Sequence, residues 1–121
     1  MGAPIKVINA GSRTFTNYEY LKVRLDWFFM LRAKDDITII SGCANGADRL
    51  GERYATENGI GLIRKPANWN EHHNAAGPIR NEEMAKIATH CIVFWDGISK
   101  GTKNMIDNAN KYKLDLRIIK V

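Results

Sequence analysis

Three segments of this chain combine glycine, hydroxyl and basic residues in a way that suits the binding of phosphate. The first is Gly11-Ser12-Arg13, the second runs from Ser41 to Arg49, and the third runs from Asp96 to Thr102. Glycines let backbone amides approach an anion closely, and hydroxyl groups can donate hydrogen bonds to it. An arginine guanidinium can hold a phosphate with two parallel hydrogen bonds. These segments therefore predict a site for a phosphate-bearing, nucleotide-like small molecule.

Each segment follows a predicted strand and leads toward a predicted helix. Short β-rich runs alternate with longer stretches of helical periodicity, which predicts the order β-α-β-α-β-α-β-α-β. Strands joined through helices pair in parallel, so we expect one Rossmann-like three-layer α/β domain over residues 1–121, with a five-stranded parallel sheet and helices on both faces. Ligands bind such sheets at the carboxyl ends of the strands, where the strand order reverses. We expect the three segments to meet there, together with Arg80 from the third predicted helix.

The boundaries of several elements can also be predicted. Strands are expected at residues 5–10, 37–40, 60–63, 91–95 and 116–121. Thr16 and Glu19 have the spacing of a capping box, which predicts a first helix that continues to about Lys34. Gly59 is typical of a left-handed cap after a second helix over 47–58. A long loop is expected over 64–76, followed by a helix over 78–88.

The candidate ligand-binding residues are small, carry a hydroxyl or amide, or are charged. They are Gly11, Ser12, Arg13, Ser41, Gly42, Asn45, Gly46, Asp48, Arg49, Arg80, Asn81, Asp96, Gly97, Ser99, Lys100, Gly101 and Thr102. The side chains expected to hold phosphate are those of Arg13, Arg80, Ser99, Lys100 and Thr102. Asp48 or Asp96 is expected to bind ribose hydroxyls. Trp95, which ends a buried strand, is a better candidate than Trp69 for stacking on a base.

Composition and missing motifs narrow the function further. The net charge of +5 favours anionic partners. Neither the Gly-x-x-x-x-Gly-Lys-Ser/Thr phosphate loop of nucleoside triphosphatases nor the Gly-x-Gly-x-x-Gly dinucleotide motif is present. No apolar run approaches the roughly 20 residues of a membrane helix, and the two cysteines do not form a disulfide framework. We therefore expect a cytoplasmic protein with free thiols.

A metal site is not predicted. Glu71-His72-His73 places two histidines side by side, but adjacent side chains point in different directions and no third ligand stands at a metal-site spacing. A polar loop that covers the ligand is the better interpretation of this segment. No cofactor is required by any motif of the chain.

Four motifs follow one another along the chain. They are Gly11-Ser12-Arg13, Ser41-Gly42-x-Ala44-x-Gly46-Ala47-Asp48, Ala76-Gly77-Pro78-x-Arg80-Asn81-x-x-Met84 and Phe94-x-Asp96-Gly97-x-Ser99-x-Gly101-Thr102. Together they resemble the YspA-like (cpYpsA-related) branch of the SLOG superfamily over nearly the whole chain. The resemblance implies a Rossmann-like fold that binds nucleotides, nucleotide-derived signals or nucleic acid. Cys43 stands where relatives usually carry a second glycine, and Asn68 stands where an aspartate is common.

A more distant resemblance raises the question of catalysis. The LOG phosphoribohydrolases of the same superfamily split a base from a nucleoside monophosphate, and Arg80, Met84 and Gly101-Thr102 match parts of their motifs. Met105, however, occupies the position of their glutamate. Cleavage of a glycosidic bond requires a carboxylate beside the sugar, which methionine cannot supply. Asp48, Asp96 or Asp107 could substitute, so the catalytic residues stay open, with Arg80 and Asp96 as candidates.

Three functions are therefore compared. A ligand-binding or sensor domain is the first, a phosphoribohydrolase-type enzyme is the second, and a DNA-binding accessory protein is the third. Acidic residues interspersed among the lysines, and the lack of a basic stripe with interleaved aromatics, argue against the third. Trp27, Phe28 and Phe29 exceed what one helix face can bury, which favours a homodimer or higher homo-oligomer.

Overall fold

A five-stranded parallel sheet forms the centre of the computed structural model, which describes residues 2–121. The strands are β1 (Ile5–Gly11), β2 (Ile37–Ser41), β3 (Gly61–Arg64), β4 (His90–Trp95) and β5 (Asp115–Lys120). Their order across the sheet is β3-β2-β1-β4-β5, and every neighbouring pair is parallel. The predicted fold class is thus confirmed.

Five helices connect or flank these strands. They are α1 (Tyr18–Phe29), α2 (Ala47–Asn58), α3 (Trp69–His72), α4 (Ala76–Ile87) and α5 (Lys100–Lys111). Single 3₁₀ turns cover Lys34–Asp36 and His73–Ala75. Gly59 caps α2 in the left-handed conformation, as predicted. Within residues 2–121, no helix has both the length and the apolar character that crossing a membrane requires.

The central strands β1, β2 and β4 are mostly buried, because successive residues point to opposite faces of the sheet and helices cover each face there. Val7 of β1 contributes to the core under α1 and α2, together with Leu21 and Tyr54. Ile8, the next residue, contributes to the core under α4 and α5, which contains Met105. Consecutive residues of the central strands are therefore apolar.

The strand order reverses between β1 and β4. The chain leaves β1 toward β2 on one side and later returns to β4 on the other. Two hydrogen bonds join the ends of these strands: the Ser12 amide donates to the Phe94 carbonyl at 2.9 Å, and the Asp96 amide donates to Ser12 Oγ at 3.0 Å. A crevice at such a reversal is where α/β sheets bind ligands.

The predicted start and end of α1 were wrong. Asn17, rather than Thr16, caps the helix, and its Oδ1 accepts a hydrogen bond from the Tyr20 amide at 3.1 Å. The helix ends at Phe29 instead of continuing to Lys34. The Arg32 amide donates to the Phe29 carbonyl, which closes the chain into a tighter turn.

The predicted loop over 64–76 contains structure that was not anticipated. Asn68 caps α3 by accepting a hydrogen bond from the Glu71 amide at 3.1 Å, and its own Nδ2 donates to Glu71 Oε2 at 3.0 Å. This reciprocal pair is a capping arrangement. It fixes Trp69 at the first position of the helix.

Helix α1 leaves part of the sheet beside β4 and β5 uncovered. The resulting groove of about 780 Å³ has Ile92 and Ile119 in its lining, and Trp27 on its edge is 74% exposed. Of the three aromatic side chains in this segment, Phe29 is buried in the core. Only Trp27 and Phe28 are not fully buried. Self-association through these aromatic side chains stays a prediction.

Candidate functional site

A small cavity lies at the strand-order reversal, and we call it the central cavity. Its volume is about 70 Å³, room for about two water molecules or one phosphate-sized group. Its lining comes from β1, the loops after β1 and β2, and helices α2, α4 and α5: Ala10, Gly11, Arg13, Ala44, Asp48, Gly77, Arg80, Asn81, Met84, Ser99, Gly101, Thr102 and Met105. Arg13, Arg80 and Ser99 thus line one space although they are far apart in sequence.

Arg80 is held at the cavity by hydrogen bonds to two neighbours. Its Nη1 donates to the Gly42 carbonyl, and its Nε donates to Asn81 Oδ1 at 2.9 Å. Asn81 is itself fixed, because its Nδ2 donates to Asn104 Oδ1 at 2.9 Å on α5. A guanidinium carries five N–H donors, so Arg80 retains donors for a ligand after these two bonds.

Positive charge is concentrated at the central cavity. Burial lowers the pKa of Arg80 below its usual range, the nearby positive charge of Arg13 lowers it further, and the Asp48 carboxylate opposes both effects. Two guanidinium groups that line one space repel each other, and an anion bound between them would offset this repulsion. This arrangement favours the binding of a negatively charged group.

Asp48 is the carboxylate in the lining of the central cavity. It is only 6% exposed, and burial raises its pKa to about 6. A hydrogen bond from the Ala44 amide to Oδ2 at 3.1 Å and the charge of Arg80 act against this rise. Asp48 therefore changes its ionisation near neutral pH, which is unusual for an aspartate.

The first turn of α5 supplies the remaining polar groups. Ser99 caps the helix, with its Oγ accepting from the Thr102 amide at 3.4 Å and from Thr102 Oγ1 at 3.1 Å. The first amides of a helix have no partner within the helix, and the helix dipole favours an anion beside them. Gly101 lies in this turn, and a Cβ built on it would meet no heavy atom within 4 Å. The space in front of this turn is open.

At two glycines of the second segment, other atoms of the protein lie so close that a side chain would collide with them. Gly46 has φ +79°, and a Cβ there would collide with the backbone of Ser12 and Arg13. A Cβ on Gly42 would lie 2.6 Å from Arg80 Nη1 and 2.9 Å from Asp48 Oδ2. These positions allow the loops after β1 and β2 to pack against each other and let Arg80 reach the cavity.

A second cavity, the side cavity, adjoins the central one. Its volume is about 360 Å³, and its lining consists of Gly42, Cys43, Ala44, Arg49, Arg64, Pro66, Ala67, Trp69 and Arg80. Ala44 and Arg80 belong to both cavities. Sequence reasoning did not assign a role to Arg64, Pro66 or Ala67. The signal that could have found them is their place at or just after the carboxyl end of β3, at the same end of the sheet.

Some predicted ligand-binding residues lie away from the central cavity. Gly97 and Lys100 line a third cavity on the other flank of α5, together with Trp95. Trp95 Nε1 donates to the Ser99 carbonyl at 3.1 Å. Of the two tryptophans considered for base stacking, Trp69 rather than Trp95 therefore lies beside Arg80.

Other predicted residues shape the loops instead of lining the central cavity. Asp96 Oδ1 accepts hydrogen bonds from the amides of Ile98 and Ser99 at 2.8 Å each, and these bonds lower its pKa. Ser41 is buried, and its Oγ donates to Glu52 Oε2 at 2.7 Å. Asn45 is exposed and is absent from the linings of both the central and side cavities.

The geometry of the Met105 position bears on catalysis. Met105 lines the central cavity and is 1% exposed, so the position does face the candidate ligand. It offers no carboxylate there. Asp107 instead lines the third cavity, and Asp96 is engaged by its own loop. Asp48 is left as the carboxylate that could act at the central cavity.

A family model identifies the family of this chain, and a solved structure supports its fold. A family model described as YspA, cpYpsA-related SLOG family matches residues 5–72, which include the loops after β1 and β2. The Gene 61 protein of Mycobacterium phage D29 is 31% identical over 86 residues, which are 66% of this chain and 69% of that protein. DNA processing protein A (DprA) from Streptococcus pneumoniae superimposes with a TM-score of 0.76 at 16% identity, over 98% of this chain. The match covers 51% of the DprA chain, so this chain spans about half of its length.

Proposed function

Because the chain belongs to the YspA, cpYpsA-related SLOG family, we propose that it binds a nucleotide or nucleotide-derived small molecule through a phosphate in the central cavity. The observation that carries this proposal is the convergence of Arg13, Arg80 and the first turn of α5 on one space. Guanidinium groups and free helix amides both favour a phosphate. The protein acts in this proposal as a binding or sensor domain.

Binding without hydrolysis is the better interpretation of this site. Met105 provides an apolar wall where glycosidic cleavage needs a carboxylate. Asp48 has a pKa suited to proton transfer but is held by the Ala44 amide. Incubation with nucleoside monophosphates and analysis for free base tests this directly. Release of base at a rate that depends on Asp48 would contradict the proposal.

Nucleic acid is the alternative partner, suggested by the name of DprA. Some exposed lysines pair with carboxylates of their own helix, as in Lys22–Asp26 at 2.9 Å and Lys103–Asp107 at 2.6 Å, which reduces the positive charge that they offer to a nucleic acid. DNA binding weakens steeply and log-linearly with salt, whereas a ligand with one phosphate shows a shallow dependence. Titrations with AMP and with an oligonucleotide at several salt concentrations therefore separate the two partners.

A thermal-shift screen over nucleoside monophosphates, ADP-ribose and dinucleotides tests the proposed binding. At least one of these compounds should raise the melting temperature of the wild-type protein, and Arg80→Ala should abolish that rise. Arg24→Ala is the matched control, because Arg24 lies on α1 at the uncovered groove. An equal rise in Arg80→Ala would show that the ligand binds elsewhere.

A further inference from the structure

The central cavity is too small to hold a nucleotide on its own. Its 70 Å³ compares with about 300–1,000 Å³ for typical small-molecule sites. A ligand whose phosphate occupies it must extend beyond it. The side cavity, with about 360 Å³ and a shared wall at Ala44 and Arg80, is the adjoining space of sufficient size.

The side cavity is itself positively charged. Arg49, Arg64 and Arg80 all line it. Glu52 is the carboxylate beside two of them, with Oε1 at 3.7 Å from Arg49 Nη1 and at 3.3 Å from Arg64 Nε. One carboxylate cannot neutralise two guanidinium groups. An excess of positive charge therefore remains in the side cavity, where a second anionic group would be held.

The side cavity also offers a surface for an aromatic ring. Trp69 is 49% exposed and stands in its lining near Pro66 and Ala67. The Asn68 cap fixes the start of α3 and so limits the freedom of Trp69. Stacking on an aromatic side chain accepts any base, because every base has a π face. A half-exposed tryptophan in a cavity lined by arginines is therefore suited to a nucleobase.

We propose that the side cavity binds the base and a second phosphate of the same ligand, so that the ligand is a nucleoside carrying two separated phosphates. This inference rests on the proposed function, because it places the first phosphate in the central cavity. Arg80 lies between the two phosphates, since it lines both cavities. Arg64 holds the second phosphate, and Trp69 stacks on the base.

Calorimetric titration of the full chain with AMP and with adenosine 3′,5′-bisphosphate tests the inference. The wild type should bind the bisphosphate at least 10-fold more tightly than AMP at the same salt concentration. Arg64→Gln should remove most of this difference and leave AMP affinity within about 2-fold. Arg24→Gln, which removes the same charge from α1, should leave both affinities unchanged.

Trp69 is tested with a ligand that lacks the base. Trp69→Ala should weaken AMP and the bisphosphate about 10-fold each but leave ribose 5-phosphate unchanged, and Trp69→Phe should restore most of the loss. This rescue distinguishes stacking from a general disturbance of α3.

The possible failures are distinguishable. If AMP binds but Arg64→Gln retains the full preference for the bisphosphate, the second phosphate site is wrong while the proposed function stands. If the wild type binds neither AMP nor inorganic phosphate, the proposed function fails as well. An oligothymidylate that binds more tightly than the bisphosphate, with the same sensitivity to Arg64→Gln, would overturn the small-molecule assignment of the side cavity.

Discussion

Arg80 Nη1 donates a hydrogen bond to the carbonyl oxygen of Gly42, and this bond joins helix α4 to the loop after β2. The guanidinium is thereby held between the central and side cavities, where it can contact a ligand in either. The absence of a side chain at Gly42 makes the approach possible, because a Cβ there would lie 2.6 Å from Arg80 Nη1. The position of the anion-binding Arg80 therefore depends on the conformation of the loop after β2.

Gly42→Ala should weaken the binding of anions by displacing Arg80. We expect at least a 10-fold loss of AMP affinity by calorimetry, with a destabilisation of about 1–3 kcal/mol from overpacking. Urea unfolding measures the stability, and circular dichroism checks that the fold is retained. Wild-type affinity in a folded Gly42→Ala protein would show that the position of Arg80 is not important for binding.

Gly101→Ala should raise the stability of the protein and weaken its binding of AMP. Apart from its own helix backbone and chain neighbours, the added methyl meets no heavy atom within 4 Å, so the helix should gain up to about 1 kcal/mol from the better propensity of alanine. The same methyl occupies the space through which a phosphate approaches the first amides of α5. We therefore expect higher stability in urea but at least a 5-fold weaker affinity for AMP. Unchanged affinity would place the anion away from this helix.

Asp48 should make both stability and anion binding depend on pH. Its pKa of about 6 in the folded protein lies above the ordinary 3.8, so its contribution to stability is fully present below about pH 4 and is lost as pH rises through 6. The loss should be about 3 kcal/mol, at 1.36 kcal/mol per pKa unit. Urea unfolding between pH 4 and 7 measures it, and Asp48→Asn should flatten the profile.

Sulfate is the appropriate anion for the same experiment, because its charge does not change over this pH range. Ionised Asp48 repels an anion in the central cavity, so sulfate affinity should fall as pH rises through 6 in the wild type. Asp48→Asn should remove this dependence. A wild-type affinity that is constant from pH 5 to 7.5 would show that Asp48 does not face the bound anion.

The two cysteines should differ in reactivity. Cys43 is partly exposed in the side cavity, whereas Cys91 is fully buried and burial raises the pKa of its thiol to about 12. An alkylating reagent should modify Cys43 alone, and a saturating ligand should slow that reaction at least 5-fold. Mass spectrometry locates the modified thiol. Equal rates with and without ligand would indicate that the ligand leaves the side cavity open.

The convergence of Arg13, Arg80 and Ser99 could be predicted from the sequence because the carboxyl ends of parallel strands share one edge of the sheet. The placement of Lys100 could not, because the backbone changes conformation between the cap residue Ser99 and the first helical residue Lys100, and their side chains line different cavities. Knowing that a residue follows a strand is therefore not enough to place its side chain.

Local capping explains the other differences from the sequence predictions. Asp96 begins an Asx-type turn with Gly97, a recognisable signal that its carboxylate binds its own loop. The Asn68–Glu71 pair could likewise have predicted α3 and the fixed position of Trp69. Cys43 has φ +65°, a conformation that favours glycine, and this agrees with the glycine that the family resemblance led us to expect there.

The most direct test of the central claim is the affinity for AMP of Arg13→Gln and Arg80→Gln, measured by calorimetry beside Arg24→Gln. If Arg13 and Arg80 hold one phosphate, each of the first two variants should lose at least 10-fold in affinity, and Arg24→Gln should lose less than 2-fold. Wild-type affinity in either Arg13→Gln or Arg80→Gln would contradict a shared phosphate site at the carboxyl ends of β1 and β4.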